Sequence, residues 1–276
     1  MSIKQHVSDA RFLIESGRFL GALTVLTVAV AGSSRKVFPP GTKSLANPKE
    51  KMKDGEAFKL FLGGRIRRII NNAHENPEYG ESGFSIKWPT ETKTIESILY
   101  HHYRCELIHE AKLPQGIEFV KENAGGASFS NNGVSVGINV SGKGIVLNYG
   151  WLDVLEKAVV EAPCNGDEFE IRHYKLVANH GVDEVAFAND IIVKYNASQA
   201  RINIFKNSVR LLSHESILNS TDIELVGLFL SRVETGEISG VSLLGSRGLS
   251  DAKGRLQPSG LAMLREIARA YSLVDY

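Results

Sequence analysis

The chain has 276 residues, 43% hydrophobic and 23% charged, with 26 Gly and 8 Pro, which excludes a disordered, collagenous or disulfide-stapled protein and leaves room for two domains. Two cysteines, Cys105 and Cys164, are too few for a disulfide framework and point to a reducing cytosol. The net charge of +1 conceals a basic first quarter, because through Ala73 thirteen Lys and Arg face five acids; this suits a polyanion partner or a solvated helical surface equally.

Ile3, Val7, Ala10 and Ile14 recur at helical spacing over residues 3–16. A second, more apolar helix over 18–37 must lie mostly inside, and Pro39-Pro40-Gly41 stops it. Its uncharged run Phe19–Ala31 imitates a signal-peptide core. It carries Gly21, Thr24 and Thr27, follows a long charged helix, and falls short of the roughly 20 residues that span a bilayer. No membrane association is expected.

A polar linker over 42–53 leads to a third helix, capped by Asp54 and running to about Asn72, with Phe58, Phe61, Leu62, Ile66, Ile69 and Ile70 as its buried stripe. Arg65, Arg67 and Arg68 fall on its other side and are candidate contacts to a nucleic-acid backbone. Residues 74–89 read as loop. A fourth helix opens at Thr90 or Thr92 and runs to about Ala111, with Ile95, Ile98, Leu99 and Leu107 facing inward.

The period then changes. Gly116–Val120 and Val134–Leu147 alternate or run β-branched, with turn signals at Asn131-Asn132-Gly133 and Ser141-Gly142-Lys143-Gly144. This predicts an antiparallel hairpin or three-stranded insertion over about 116–148. The Gly-x-Ser-x-Gly spelling at Gly133–Gly137 lies inside this β-branched run, where a nucleophile elbow has no room. A helix over 149–162 follows, and a domain boundary is placed near Asn165-Gly166.

Beyond it, a strand within 167–178 and helices over 182–195 and 198–212 are expected. Thr221-Asp222-Ile223-Glu224 has the form of a capping box for a helix to about Val233. The basic, glycine-rich stretch Gly245–Leu256 reads as a turn or a wing, and Pro258 begins a last helix to Ala270. The expected architecture is mainly α: a four- to five-helix bundle over 1–165 with a β insertion, then a smaller mixed α/β domain over 166–276 that is loosely winged-helix-like.

Functional residue types are densest at His101-His102-Tyr103-Arg104-Cys105-Glu106-Leu107-Ile108-His109-Glu110. Arg104 and His109 suit metal-free cleavage of RNA, in which an imidazole moves protons and a guanidinium steadies charge building on phosphorus. Glu106, three residues before His109, is placed to hold the imidazolium form. Five positions put Arg104 and His109 roughly 140° apart on an ideal helix, so a shared site is easier to build between two copies of this helix. Two other readings stay open. His101, Cys105 and His109 form a stripe of metal-ligand types, or of a cysteine nucleophile and its base. In the bland reading Arg104 pairs with an acid, His102 and His109 bond Glu106, and Cys105 fills the core.

The phrase Tyr100–Glu110 closely resembles the motif helix of the HEPN superfamily, whose hallmark is Arg, four to six residues, then His. The segments Leu13–Leu23 and Asp54–Phe58 resemble the helices that precede it, so the likeness covers roughly 1–165. It implies a bundle that dimerises across the motif helix and a cytoplasmic, metal-independent endoribonuclease of the toxin or antiviral, abortive-infection kind. Arg104 and His109 match the two catalytic positions, no cofactor is implied, and an antitoxin or other regulator is a common partner. Nuclease members often have a polar residue where this chain has Cys105. His109-Glu110-Ala111 lacks the tyrosine that a partner nucleotidyltransferase modifies in one subgroup. The alternative is a non-catalytic HEPN-like binding module, or a DNA-binding regulator using the chain from Thr221 onward.

Overall fold

Ser2 accepts a hydrogen bond from the Gln5 amide and starts α1 (Ile3–Glu15), satisfying one of the donors that a helix start leaves over. A computed structural model describes the chain apart from residues 1, 72–77, 89, 122–125, 132, 142–143, 239 and 276. It is mainly helical and divides into two units, residues 1–171 and 172–276.

In the first unit Gly17, at φ 71°, turns the chain into α2 (Phe19–Val37). This helix is the central one, as its composition demands, and touches α1, α3, α6 and the motif helix. Its buried hydroxyls, Thr27, Ser33 and Ser34, each donate to a carbonyl of their own helix at 2.8 Å, so burial leaves none of them unsatisfied. In α3 (Asp54–Asn71) the expected stripe is buried throughout. Asp54 is its first helical residue and pairs with Arg35 from the last turn of α2.

Of the loop expected over 74–89, residues 74–77 and Pro89 lie outside the described residues, and the rest is more structured than expected. β1 (Ser85–Lys87) and β2 (Thr92–Thr94) pair antiparallel, so the helix that was to open at Thr90 or Thr92 begins only at Ile95. The β-branched Thr92 and Thr94 suit a strand as well as a helix cap, and Thr94 makes no capping bond. β3 (Ile117–Val120), β4 (Ala127–Asn131), β5 (Val134–Ser141) and β6 (Gly144–Asn148) form one sheet in the order β3-β6-β5-β4, with β3 parallel to β6. The predicted turn residues Asn132, Gly142 and Lys143 lie outside the described residues. Ser135 sits in β5 and bonds the Ser130 hydroxyl at 2.9 Å, so no nucleophile elbow exists there. α6 (Gly150–Val160) closes the bundle, and buried Trp151 donates to the Gly137 carbonyl at 3.2 Å.

The unit extends past the expected boundary near Asn165-Gly166. Asn165 is buried and donates to Ser33 Oγ at 2.8 Å and to the Val159 carbonyl at 2.9 Å. Glu168, in α7 (Gly166–Phe169), accepts from the Lys4 amide and from Lys36. These bonds tie the segment to α1, α2 and α6.

The second unit joins its two ends as an antiparallel pair, β7 (Tyr174–Ala178) and β8 (Tyr271–Asp275). Between them run α8 (Glu184–Tyr195), α9 (Gln199–Leu212), α10 (His214–Asn219), α11 (Asp222–Glu234), α12 (Val241–Gly245) and α13 (Pro258–Ala270), around a core that includes Phe205, Phe229, Met263 and Leu264. The capping box at Thr221 and Glu224 is formed in both directions. Gly245–Leu256 is a turn, closed by one bridge between Ser250 and Leu256 and by Asp251, which accepts from the Lys253 and Arg255 amides.

Candidate functional site

The motif helix is built in three parts. α4 (Ile95–Ile98) passes into a π-helical segment, Leu99–Cys105, and then into α5 (Glu106–Glu110), which ends at Ala111 with φ 55°. π turns are rare and occur mostly at functional sites. Here the wide turn suits the buried face, since Leu99, Tyr103 and Leu107 repeat every four residues. Tyr103 is fully buried and donates its hydroxyl to the Glu118 carbonyl of β3 at 2.8 Å. Near the start of the helix, buried Glu96 accepts from the Ser82 hydroxyl at 2.6 Å and from its amide at 3.2 Å.

Arg104 and His109 face different surroundings. Arg104 is half-buried, its guanidinium over Tyr100 at 5.3 Å and Phe58 at 6.0 Å, with Nη1 3.9 Å from Cys105 Sγ. Its Nε is buried without a hydrogen-bond partner. His109 is exposed in the last turn of α5, between exposed Ile108 and Glu110. The π segment ends one residue after Arg104, so the steps to His109 are mainly α-helical and the two side chains remain on different sides of one helix. Within a single chain they do not form one site.

A cleft of about 860 Å³ runs beside the motif helix. His101, His102, Cys105 and Glu106 line it from the helix, Lys59 from α3 and Lys93 from β2. His102 meets Trp88 edge-on at 5.4 Å, and its Nε2 is buried without a partner. Burial, with Lys59 and Lys93, holds His101 below the ordinary imidazole range. Burial, Lys93 and His101 do the same to His102, against the opposing charge of Glu106. Both imidazoles are therefore neutral at pH 7.

That has a consequence for stability. As the pH falls, the unfolded chain takes up these protons first, at about 6.5. The contribution is whole above that value and is lost as the pH drops from it through the lower folded pKa values. The urea midpoint is expected to fall between pH 7 and pH 5, and His102→Gln to flatten the fall. Glu56 does not mask the effect. Burial raises its pKa, but the Ser44 hydroxyl and the Ala46 and Leu45 amides hold it below the usual carboxylate range, so it titrates at lower pH.

The structure redistributes the other candidates. Arg65 is 1% exposed and pairs with Glu78 at 3.0 Å while donating to the Glu161 carbonyl at 2.9 Å. Arg68 holds the other Glu78 oxygen at 2.9 Å, and Arg67 is half-buried beside Gly80. The three are not a nucleic-acid face, because residues 78–82 cover this end of α3. Glu106 lines the cleft, where His102 feels its charge. Cys105 opens to the cleft too, but His109 does not line it. Among the described residues no group of three or more His, Cys, Asp or Glu is arranged to hold a metal ion, which corrects the His101, Cys105 and His109 ligand reading. Lys59 and Lys93, with no motif around them, escaped the sequence reading. The only signal for Lys59 was the basic excess of the first quarter, and Lys93, beyond Ala73, had none.

A family model described as Rv1289 matches residues 2–186. The chain belongs to the Rv1289 family. The Rv1289 match takes in the first unit from α1 through α7 and stops in the first turn of α8, so the motif helix and the cleft both lie inside it. No curated protein and no solved structure matches the chain. No described helix is long and apolar enough to cross a membrane.

Proposed function

We propose that the first unit is a HEPN-like, metal-independent endoribonuclease, acting in the cytoplasm as a toxin or antiviral effector. The observation that carries this reading is the state of the motif helix. His109 stands exposed with no hydrogen-bond or ion-pair partner among the described residues, while Arg104 keeps a buried Nε unsatisfied. A buried guanidinium nitrogen in a purely structural role would be paired.

A homodimer across this helix brings His109 of one chain toward Arg104 of its partner. The imidazole takes the proton from a ribose 2′-hydroxyl as its oxygen bonds to phosphorus, and a proton is returned to the 5′ oxygen as the P–O5′ bond breaks. The guanidinium stabilises the charge that builds on the phosphoryl oxygens between those events. The second unit then chooses the substrate or binds a regulator such as an antitoxin.

Purified protein incubated with total RNA in EDTA is expected to cleave it. His109→Ala and Arg104→Ala should each slow cleavage by about a hundredfold or more. RNA left intact by the wild-type chain, or cleavage by both variants as fast as by wild type, overturns the proposal. Induced expression gives a second readout, since wild type should arrest growth and His109→Ala should not.

A further inference from the structure

Arg104 is held by rings and not by an acid. Its guanidinium lies over Tyr100 at 5.3 Å and Phe58 at 6.0 Å, and among the described residues no carboxylate pairs with it. Its other contact, 3.9 Å from Nη1 to Cys105 Sγ, is with a weak acceptor. To an incoming phosphate that difference matters. A carboxylate would hold the guanidinium by cancelling its charge and would have to be displaced. Aromatic rings attract the same charge more weakly and leave it whole.

The Tyr100 ring is itself held. Tyr100 and Arg104 both belong to the π-helical segment, four positions apart, which sets ring and guanidinium beside one another. Tyr100 also meets the start of α3. Its ring centroid is 5.2 Å from that of Phe58, and a Cβ on Gly55 would lie 2.8 Å from its Cε1 and 2.9 Å from its Cζ. Any side chain larger than hydrogen at Gly55 would push the phenol away. A glycine inside a helix costs stability relative to alanine, and here the close approach of the ring accounts for it.

We infer that Tyr100 is a positioning residue for the proposed cleavage: seated against Gly55 and Phe58, it fixes the Arg104 guanidinium before the phosphate arrives. The inference rests on the ribonuclease reading and adds to it the group that orders the arginine. A free arginine side chain samples many rotamers, and ordering it during the reaction adds to the barrier. A guanidinium already in place meets the charge building on the phosphoryl oxygens without that reorganisation. The ring makes the contact, so the Tyr100 hydroxyl is dispensable.

The full-length chain is compared with Tyr100→Leu, Tyr100→Phe and Gly55→Ala in single-turnover cleavage of a labelled single-stranded RNA in EDTA. Tyr100→Leu should lower the rate at saturating RNA about tenfold. The half-saturating concentration should move less than about twofold, as for an interaction made in the transition state. Tyr100→Phe should keep the rate to within about twofold. Gly55→Ala is the sharper test. The new Cβ displaces the ring while alanine favours the helix. The rate should fall about threefold or more while the urea midpoint holds or rises. A merely structural Tyr100 would move the rate only together with the midpoint. The Arg104 Nε–H signal, followed by NMR, reads the hold on the guanidinium directly. Its proton should exchange with solvent faster in Tyr100→Leu and Gly55→Ala than in wild type and Tyr100→Phe. Wild-type rates in both Tyr100→Leu and Gly55→Ala overturn the inference and leave the ribonuclease standing. A slowed Tyr100→Leu with unchanged Nε–H exchange overturns it as well, because Tyr100 would then act otherwise than through Arg104. No cleavage by the wild-type chain overturns the ribonuclease reading and this inference with it.

Discussion

Glu78→Ala is expected to lower the stability of the first unit by about 3–5 kcal/mol, more than replacement of Arg65, although Arg65 is the more buried of the pair. The order follows from what each change leaves behind. Glu78 holds two guanidiniums, Arg65 at 3.0 Å and Arg68 at 2.9 Å. Without it a fully buried cation, whose Nε already lacks a partner, keeps only the Glu161 carbonyl. Burial already pulls the Arg65 pKa down, with Glu78 the chief opposing influence. Arg65→Met instead removes the charge and keeps the bulk. Glu78 retains Arg68, the Glu161 carbonyl loses one donor, and the cost falls to about 1–3 kcal/mol. Urea unfolding of the three proteins under one set of conditions gives the ranking. An Arg65→Met loss equal to or larger than that of Glu78→Ala would show that side-chain packing, not charge pairing, holds this corner.

The same corner shows where sequence reading reached its limit. Helical period placed α1, α2, α3, α6, α8 and α9, a capping box and a proline placed α11 and α13, and the inward residues of the motif helix were picked apart from Glu96 and Tyr103. The period cannot say what covers a helix's second face. Arg65, Arg67 and Arg68 read as solvated because arginines usually are, whereas residues 78–82 lie across them. β4 was missed because Ala-Ser-Phe-Ser-Asn offers one large apolar residue, Phe129, to a face. The π segment leaves no sequence mark, because the four-residue spacing of Leu99, Tyr103 and Leu107 fits an α-helix equally. Within the candidate site, His101 and Cys105 were legible in a stripe with His109, which does not line the cleft, and Glu106 only as a neighbour of His109. Lys59 and Lys93, which turn that stripe into a cleft, come from separate elements, and only the tertiary fold joins them.

One signal of the covered face was present: Gly63-Gly64 in the middle of α3. Intrinsic propensity says that alanine at either place should stabilise the helix by about 1 kcal/mol. The structure reverses the sign. A Cβ on Gly63 would lie 2.2 Å from the Gly80 carbonyl oxygen and 2.9 Å from the Ser82 amide nitrogen. On Gly64 it would lie 2.3 Å from the Glu78 carbonyl oxygen. These are backbone atoms, held by the Gly80 amide bond to the Leu60 carbonyl at 2.8 Å, so the whole segment has to lift. Lifting it parts Ser82 from Glu96, leaving a buried carboxylate without its donors, and loosens Glu78 from the two arginines. Overpacking and the lost bonds together should cost about 2–4 kcal/mol after the propensity gain. The effect should reach the motif helix, because Glu96 is the point at which that segment grips it. Gly63→Ala is therefore expected to lower the urea midpoint and to speed amide exchange at residues 98–105, while Gly227→Ala, with nothing within 4 Å of its Cβ, should be neutral or mildly stabilising. A stabilised Gly63→Ala with unchanged exchange in those residues would mean that the contact between α3 and residues 78–82 does not hold the motif helix in place.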